Sequence, residues 1–423
     1  MRQIVLSFIF SCLTLVAFGQ HDHSHDHGTH GHDHGTHAHG EEHGREDGHV
    51  HHETACGETL HHEFNAGDNA IHHIADANVY SIGPFSIPLP VIVYVPNEGG
   101  LKMFMSTVFD HASGHHGTGV KAYERFVIDG GQVKHITDTS FPMGSVDISG
   151  IVHHGDEVLV CYNEKLYPTE VKSTADGGIF GGGITGYYDF SLTKNVVSML
   201  IVCLILFLLF SSAAKAYKKR EGKAPKGMQN LLEVMVTFIR DEVAIPFLGH
   251  KATKFLPFLL TLFFFILGLN LWGQIPFFGG SNVTGNLAVT AVLAIIAFLV
   301  TNINGNKHYW EHQLLAPGTP WFVKIILIPV EIMGLFIKPL TLMLRLFANI
   351  TAGHMVILIF VSFIFIFGRS GESYAGAAGG AVGATLLTLF MMTIELIVAF
   401  VQAFVFTILT ASYIGAATEE AHH

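Results

Sequence analysis

The sequence predicts a mainly α-helical membrane protein with about five transmembrane helices, including a long, steeply tilted C-terminal hairpin, plus a small β-rich exported domain. Of the 423 residues, 49% are hydrophobic and 13% are charged, which is about half of the charged share usual in a soluble domain. Long apolar runs fill the C-terminal half, and shorter runs separated by turns precede them. This composition argues against an ordinary cytosolic enzyme. The formal net charge of −11 provides no general basic surface, so nucleic acid is not an expected partner.

Residues 1–19 are predicted to be a secretory signal peptide. Arg2 precedes an apolar run, and small residues surround the expected cleavage point near Gly19. The run is shorter than the ~20 residues that cross a bilayer, although an uncleaved anchor stays an alternative. Either way, the following segment is exported. There the compartment permits a disulfide between Cys56 and Cys161, but their spacing does not show one.

Residues 20–63 form a histidine-rich segment of low complexity that contains about half of the 29 histidines of the chain. A segment with so few apolar residues is predicted to be disordered. Imidazole is a ligand for zinc, nickel and copper, but the pattern has no fixed ligand geometry, so a loose metal-binding tail and a solvated spacer both stay open. The histidines that could bind a metal loosely are His21, His23, His25, His27, His30, His32 and His34.

Residues 64–189 are predicted to be a β-rich periplasmic domain. Its short apolar or alternating runs are separated by glycine, proline and aspartate, which is typical of strands and turns. The clearest runs are 81–95, 125–136, 145–152 and 157–171. The domain has no nucleophile elbow, phosphate loop or ordered metal-ligand spacing. Paired histidines such as His153 and His154 would face opposite sides of a strand, so we interpret them as surface residues.

Residues 190–423 are predicted to be the polytopic membrane domain. The first span, 196–214, is followed by six Lys and Arg residues before residue 227, which places its end in the cytoplasm. The amphipathic stretch 231–249 resembles an interfacial or partner-contacting helix. Two further spans, 255–272 and 286–304, then cross outward and inward.

The last two apolar stretches are too long for simple spans. Residues 322–367 would extend roughly 69 Å as a helix and residues 381–414 roughly 51 Å, against a hydrocarbon core of ~30 Å. Either the first stretch is two spans broken at Pro329 or Pro339, or both cross at a steep tilt as a hairpin that turns near 368–371. The hairpin gives five spans and a cytoplasmic C-terminus.

Three charged residues lie seven positions apart in the first of these stretches. Glu331, Lys338 and Arg345 therefore share one helix face. A charge at the bilayer centre costs about 2.5–3.5 kcal/mol, so such a stripe indicates function. Glu331 and Lys338 could instead sit near the interface and extend towards water. Arg345 lies deeper, and Asn349 follows it by one turn on nearly the same face.

Titratable and polar residues lie away from this arginine. His354 is about 180° around the helix from Arg345, and the last helix carries Glu395 and Gln402 on one face. Histidine and glutamate can exchange protons, whereas arginine stays charged. We therefore interpret Arg345 as a fixed charge that attracts a mobile carboxylate, with His354 and Glu395 as proton relays. A histidine and glutamate buried for structure alone are the alternative.

Residues 190–417 resemble the a subunit of rotary ATP synthases, the membrane stator that faces the c ring. The most specific part is KPLTLMLRLFANITAGH, residues 338–354. It is similar to the arginine motif of that family, with Arg345 at the essential arginine and Asn349 at the polar position after it.

Two more segments carry the resemblance. FLPFLLTLFFFILGLNLWGQIP (255–276) is similar to a family helix that ends in Asn-Leu and matches Asn270. IELIVAFVQAFVFTILTASYIGAA (394–417) is similar to the final helix, with Gln402 at the glutamine position.

The chain also departs from the family pattern. His354 and Glu395 have the arrangement of mitochondrial members, which is reciprocal to that of some bacterial relatives. Gly273 stands at an outer-channel position where some relatives carry an aspartate, so the chain departs from the family pattern there. Nothing in the resemblance explains residues 20–189.

The resemblance implies two proton half-channels. Protons would enter from outside, neutralise a c-ring carboxylate, and leave towards the cytoplasm near Glu331 after the ring turns, while the charge of Arg345 blocks a direct leak. The outer half-channel would contain Asn349, His354, Glu395 and Gln402, with Asn270 nearby.

The expected partners are the c ring, the b-subunit peripheral stalk, other ATP synthase subunits and the lipid bilayer. The expected location is the bacterial inner membrane, with the N-terminal extension in the periplasm. No phosphate loop occurs, so ATP formation would belong to partner subunits, and we expect no cofactor.

The competing interpretation is a metal-ion transporter that uses the histidine-rich segment. Such a transporter needs clustered ligands in the middle of the membrane, whereas His354 is the only histidine within an apolar span. A metal-binding receptor anchored by its helices would not require Arg345, His354 and Glu395.

Overall fold

The computed structural model describes residues 76–82, 85–110, 118–154, 157–173, 185–275, 281–315, 320–367 and 373–419. The predicted signal peptide, the histidine-rich segment, Cys56 and the expected turn at 368–371 lie outside these residues.

The described part of the N-terminal region is built from antiparallel strands in three sheets. A seven-stranded sheet has the order β8-β5-β6-β7-β11-β10-β9, a three-stranded sheet has the order β12-β3-β4, and β1 pairs with β2. The strands are β1 (Val79–Ile82), β2 (Phe85–Pro88), β3 (Pro90–Val95), β4 (Gly100–Met105), β5 (Lys121–Tyr123), β6 (Phe126–Asp129), β7 (Gln132–Ile136), β8 (Ser145–Asp147), β9 (Gly150–His154), β10 (Glu157–Tyr162), β11 (Lys165–Glu170) and β12 (Tyr188–Asp189).

Tight hairpins determine the register of the larger sheet. Asp129 pairs with Gln132 across Gly130 and Gly131, whose φ angles are 56° and 82°. Positive φ at both central residues is the requirement of a type I′ turn, which matches the twist of antiparallel strands. The glycine pair in the sequence therefore supplies the β6–β7 hairpin at little steric cost.

A buried apolar cluster joins the two larger sheets. Alternate residues of β3 are buried, and they pack against Phe126 and Ile128 of β6 and against Tyr187. The Tyr187 hydroxyl donates to the Val133 carbonyl oxygen at 2.7 Å, so this buried ring keeps a polar partner. On β9, His153 is half exposed and contacts the Asp129 carboxylate.

Helices make up the C-terminal region. They are α1 (Lys194–Lys219), α2 (Met228–Phe238), α3 (Ile245–Leu248), α4 (Ala252–Gly273), α5 (Leu287–Ile303), α6 (Lys307–Leu315), α7 (Trp321–Phe367) and α8 (Tyr374–Thr418), with a π-helical turn at Ile239–Ala244 between α2 and α3.

Among the described residues, four stretches are long and apolar enough to cross a membrane: Lys194–Lys219, Met228–Gly273, Trp321–Ile364 and Tyr374–Thr418. The apolar helix Leu287–Ile303 is shorter, with 17 residues. The predicted class, a mainly helical membrane protein with a β-rich N-terminal region, is confirmed.

The first long apolar stretch is one continuous helix. α7 passes through Pro329 and Pro339 without a break, so the two-span alternative does not describe it. α8 begins at Tyr374, before the expected residue 381, and includes a run of glycine and alanine at 375–384. A β-carbon on Gly380 would lie 3.0 Å from the Phe363 carbonyl oxygen, which shows that α7 and α8 pack at close range there.

The segment before α4 packs on the bundle. The Tyr217 hydroxyl of α1 donates to Glu233 of α2 at 2.6 Å. The Phe238 ring lies 5.3 Å from the Phe404 ring of α8, measured between centroids. This segment therefore contacts α1 and α8. Helix α6 is not predicted from the sequence, because it is only nine residues long and these residues are polar on average.

Candidate functional site

Helix α7 presents Arg345 on an open face. The residue is exposed, and Thr341 and Ala348, its neighbours four positions before and three after, are short and exposed as well. Leu344 is 45% exposed beside it. The guanidinium group therefore stands on an apolar surface where short neighbours leave room for a partner to approach.

Asn349 connects this face to α8. Its side-chain amide donates to Gln402 Oε1 at 2.9 Å. Gln402 is buried and Asn349 is exposed. The hydrogen bond thus runs from the arginine surface into the interface between α7 and α8, and the structure brings these two predicted residues into contact.

His354 and Glu395 line one pocket further along the same two helices. The pocket has an empty volume of about 270 Å³, and Asn270 of α4 also lines it. Glu395 is only 5% exposed. Gly353 lies against the Glu395 carboxyl group, since a β-carbon there would be 2.9 Å from Oε1. Three of the predicted residues therefore meet in one polar pocket.

Hydrogen bonds from α4 hold the opposite wall of this pocket. The Asn270 amide donates to the Ala399 carbonyl oxygen at 3.3 Å, and the Gln274 amide donates to the Glu395 carbonyl oxygen at 2.7 Å. The Thr284 hydroxyl donates to Asn270 Oδ1 at 2.8 Å. These bonds fix the backbone of α8 beside the end of α4.

Sequence reasoning missed four residues that line the pocket. They are Gln274, Ser281, Asn282 and Thr284. All four lie in or next to the α4–α5 connection, where polar residues are ordinary. The density of polar side chains between two apolar helices is the signal that could have identified them.

Arg345 and Glu331 do not line this pocket, and the three charges of the predicted stripe have different surroundings. Glu331 is partly buried, and its carbonyl oxygen accepts a hydrogen bond from the Gln313 amide at 2.8 Å. The Lys338 ammonium lies 5.7 Å from the centre of the Tyr413 ring. Of the three, only Arg345 is exposed.

Lys338 and Tyr413 also line a second, mostly apolar cavity between α5, α6, α7 and α8. Nearby, the amide of Asn306 donates to the Thr418 carbonyl oxygen at 2.9 Å, so the end of α8 lies at this side of the bundle. On α7, the residues that line the second cavity precede Arg345, and those that line the first pocket follow it.

Within the part of the chain that the structure describes, no group of three or more His, Cys, Asp or Glu side chains could hold a metal ion. The metal-transporter interpretation therefore receives no support from these residues. The seven histidines considered as loose ligands, His21 to His34, lie outside them.

Two family models match this chain. The family model for the ATP synthase A chain matches residues 196–415, and a domain of unknown function (DUF8433) matches residues 69–173. ATP synthase subunit a 2 of Chlorobium luteolum is 46% identical over 250 residues, which cover 56% of this chain and 70% of that protein.

Two further relatives are similar over the same part. ATP synthase subunit a of Chloroherpeton thalassium is 45% identical over 56% of this chain and 70% of its own. ATP synthase subunit a of an Anaeromyxobacter species is 37% identical over 58% of each chain. Since the family model covers just over half of the sequence and includes both the pocket and Arg345, the chain belongs to the ATP synthase A chain family.

Proposed function

We propose that this chain is the proton-translocating stator subunit of a rotary F-type ATP synthase, and that residues 190–423 form two proton half-channels against the c ring. The observation that carries the proposal is the placement of Arg345 on an open apolar face of α7, apart from the pocket that contains His354 and Glu395. A fixed charge and a protonatable pair are thus separated in space.

A partner with a negative charge would stabilise Arg345 on this open face. A permanent charge facing hydrocarbon is costly, and an opposite charge with a hydrogen bond offsets that cost. Arginine is suited to this because its guanidinium stays protonated and presents several donors to one carboxylate. The short side chains of Thr341 and Ala348 leave room for a partner helix. A c-ring carboxylate meets these requirements.

The outer half-channel would run from the pocket towards Arg345. Along α7, His354 is about 7.5 Å from Asn349, which is about 6 Å from Arg345, at 1.5 Å per residue. Asn349 is bonded to Gln402, which lies seven residues after Glu395 on α8. Polar side chains on two facing helices therefore lead from Glu395 to the arginine face.

The inner half-channel would lie at the other end of α7. Glu331 is fourteen residues before Arg345, or about 21 Å along the helix. It is partly buried beside α6, where its carboxylate could release protons towards the cytoplasm. The charge of Arg345 between the two half-channels would prevent a direct leak.

We further propose the following division of the chain: a signal peptide (1–19), a histidine-rich segment (20–63), a β-rich periplasmic domain (64–189) and the membrane domain (190–423). The run of Lys and Arg after α1 supports a cytoplasmic position for that end. The proposed partners are the c ring, the b-subunit stalk, other synthase subunits and lipid. The proposed location is the bacterial inner membrane.

The decisive experiment is Arg345→Ala. We expect loss of ATP-driven proton pumping in membrane vesicles while the complex stays assembled, because no fixed positive charge would remain to attract the c-ring carboxylate. Arg240→Ala is the matched control, since Arg240 is an exposed arginine paired with Asp241. We expect it to pump normally. Undiminished pumping by Arg345→Ala would overturn the proposal.

A second experiment tests the outer pocket. Glu395→Gln should slow proton uptake and change its pH dependence, because the amide keeps the shape but cannot take up a proton. Glu233→Gln, on α2, is the control for loss of one carboxylate elsewhere. An unchanged pH dependence in Glu395→Gln would remove Glu395 from the proposed path.

Deletion of residues 21–63 addresses the competing interpretation. We expect pumping and coupling to persist, with no dependence on added zinc, nickel or copper. Loss of pumping in a normally assembled complex, or metal-dependent activity, would show that the histidine-rich segment has a direct role.

A further inference from the structure

The exported β-rich domain is joined to the first membrane helix through Asp76. Asp76 Oδ1 accepts a hydrogen bond at 3.0 Å from the backbone N–H of Asn195, in the first turn of α1. The first N–H groups of a helix lack partners within the helix, and Thr193, at the N-cap position, provides no side-chain cap. A carboxylate from a residue more than one hundred positions away thus caps α1.

Asn195 continues the connection into the membrane domain. Its side-chain Oδ1 accepts a hydrogen bond from the Ser281 hydroxyl at 3.2 Å. Asp76, Asn195 and Ser281 are 4%, 2% and 1% exposed, respectively. Since a buried polar group is costly without a partner, each of these contacts constrains the positions of the other two residues.

Ser281 is one of the residues that line the pocket containing His354 and Glu395. It is also held from the other side, because a β-carbon on Gly273 would lie 2.9 Å from the Ser281 carbonyl oxygen. The backbone at Ser281 therefore packs directly on the end of α4. Three residues later, Thr284 donates to Asn270 in the same pocket.

We propose that the exported domain is a working part of the outer proton entrance, in which Asp76 acts as a positioning residue that fixes the pocket-lining segment 281–284 through Asn195 and Ser281. This assigns a role to a region whose own family is described only as a domain of unknown function. The inference rests on the proposed function, because it needs the pocket to conduct protons.

A neighbouring contact provides an internal control. The Ser198 hydroxyl donates to the Tyr80 hydroxyl at 3.4 Å, so this pair also joins the exported domain to α1. Ser198 and Tyr80 do not line the pocket. If attachment of the domain were all that mattered, the two contacts would be equivalent. The proposal instead requires Asp76 to affect proton flow and Tyr80 not to.

The experiment compares Asp76→Ala, Asp76→Asn and Tyr80→Phe in the assembled complex in membrane vesicles, with the initial rate of ATP-driven proton pumping measured per amount of assembled complex. We expect Asp76→Ala to pump at least about fivefold more slowly, since small displacements around a reacting group have effects of this size. Asp76→Asn keeps an acceptor oxygen for the Asn195 N–H, so we expect it to restore pumping to near the normal rate. Tyr80→Phe should pump normally.

Two results would overturn the proposal. Normal pumping by Asp76→Ala would show that the cap does not influence the pocket. Equal impairment of Asp76→Asn and Asp76→Ala would show that the carboxylate itself, and not its hydrogen bond, is needed.

Ser281→Ala covers the case in which Asp76→Ala fails to assemble, because it removes only a hydroxyl. We expect it to slow pumping, and Asp76→Asn combined with it should be no slower than Ser281→Ala alone. Normal pumping by Ser281→Ala would also overturn the proposal. Arg345→Ala in the same vesicles separates the two hypotheses: if that variant pumps, the proposed function fails whatever Asp76 does.

Discussion

Gly353 of α7 lies directly against the carboxyl group of Glu395 of α8, so that a β-carbon on Gly353 would be 2.9 Å from Oε1 and 3.4 Å from Cδ. Real β-carbons essentially never approach another heavy atom within 3.0 Å, so any other residue here would displace the carboxylate. The position of this carboxyl group therefore depends on both helices.

We expect Gly353→Ala to slow ATP-driven proton pumping by moving the Glu395 side chain within its pocket. The same substitution should favour the helix itself by up to about 1 kcal/mol, because alanine has the higher helix propensity. Function and helix stability would then change in opposite directions. Pumping rates in vesicles and the thermal stability of the purified protein measure the two effects.

Gly334→Ala is the matched control, because it is on the same helix and a β-carbon there would meet nothing within 4 Å. We expect normal pumping from this variant. Equal pumping by Gly353→Ala and Gly334→Ala would contradict the assignment of Glu395 to a path that depends on its position.

We expect Asn349→Asp to lower the rate of ATP-driven proton pumping more than Asn349→Ala does. Asn349 donates to Gln402 at 2.9 Å and lies one turn from Arg345. An aspartate would lose that donor and would place a fixed negative charge within reach of the guanidinium, where it would compete with the c-ring carboxylate. Proton pumping at several ionic strengths measures this, and an aspartate variant that pumps as well as the alanine variant would contradict it.

The long helices could be predicted because apolar runs such as 322–367 have no other stable form in a bilayer. Arg345, His354 and Glu395 could be identified as candidates because ionisable residues are rare in such helices. The pocket around Glu395 could not be predicted in full, since the polar connection between two apolar helices marks Ser281 as a candidate but does not show which side chains it contacts. The residues that contact Ser281 are determined by packing.

The link between the β-rich domain and the pocket also has no signal in the sequence. Asp76 precedes a strand and looks like any turn aspartate, yet it caps α1 across more than one hundred residues. The sequence also does not predict that α7 continues through Pro329 and Pro339. Proline inside a helix predicts a break or a kink unless packing compensates for the lost hydrogen bond.

The contact between Lys338 and Tyr413 should stabilise the packing of α7 on α8. The ammonium lies 5.7 Å from the ring centre, within the range of a cation–π interaction worth about 0.5–2 kcal/mol. We expect Tyr413→Leu to lower the thermal stability of the purified protein, whereas Tyr413→Phe keeps the ring and should have a smaller effect. Equal losses would indicate that the hydroxyl matters more than the ring.

In the β-rich domain, Asp129 lies between two basic side chains. Its Oδ2 atom is 2.8 Å from Lys134 Nζ and 3.0 Å from His153 Nε2. Burial alone would raise the pKa of Asp129, but the hydrogen bonds and positive charges of His153 and Lys134 outweigh that effect and lower the pKa to about 2.

This lowered pKa predicts how the stability of the domain depends on pH. Because the folded-state pKa of Asp129 is below its unfolded value of 3.8, the ionised carboxylate contributes about 2 kcal/mol at neutral pH. That contribution should decline as the pH falls below about 4, and most of it should be lost near the folded-state pKa of about 2, where half of the folded molecules are protonated at Asp129. Asp129→Asn should therefore be destabilised relative to the unmodified chain at pH 5 and much less so near pH 2.5. Hydrogen exchange of peptides covering β6 and β7, measured on the full chain in detergent, tests this, and a difference that stays constant over this pH range would contradict the assigned role of Asp129.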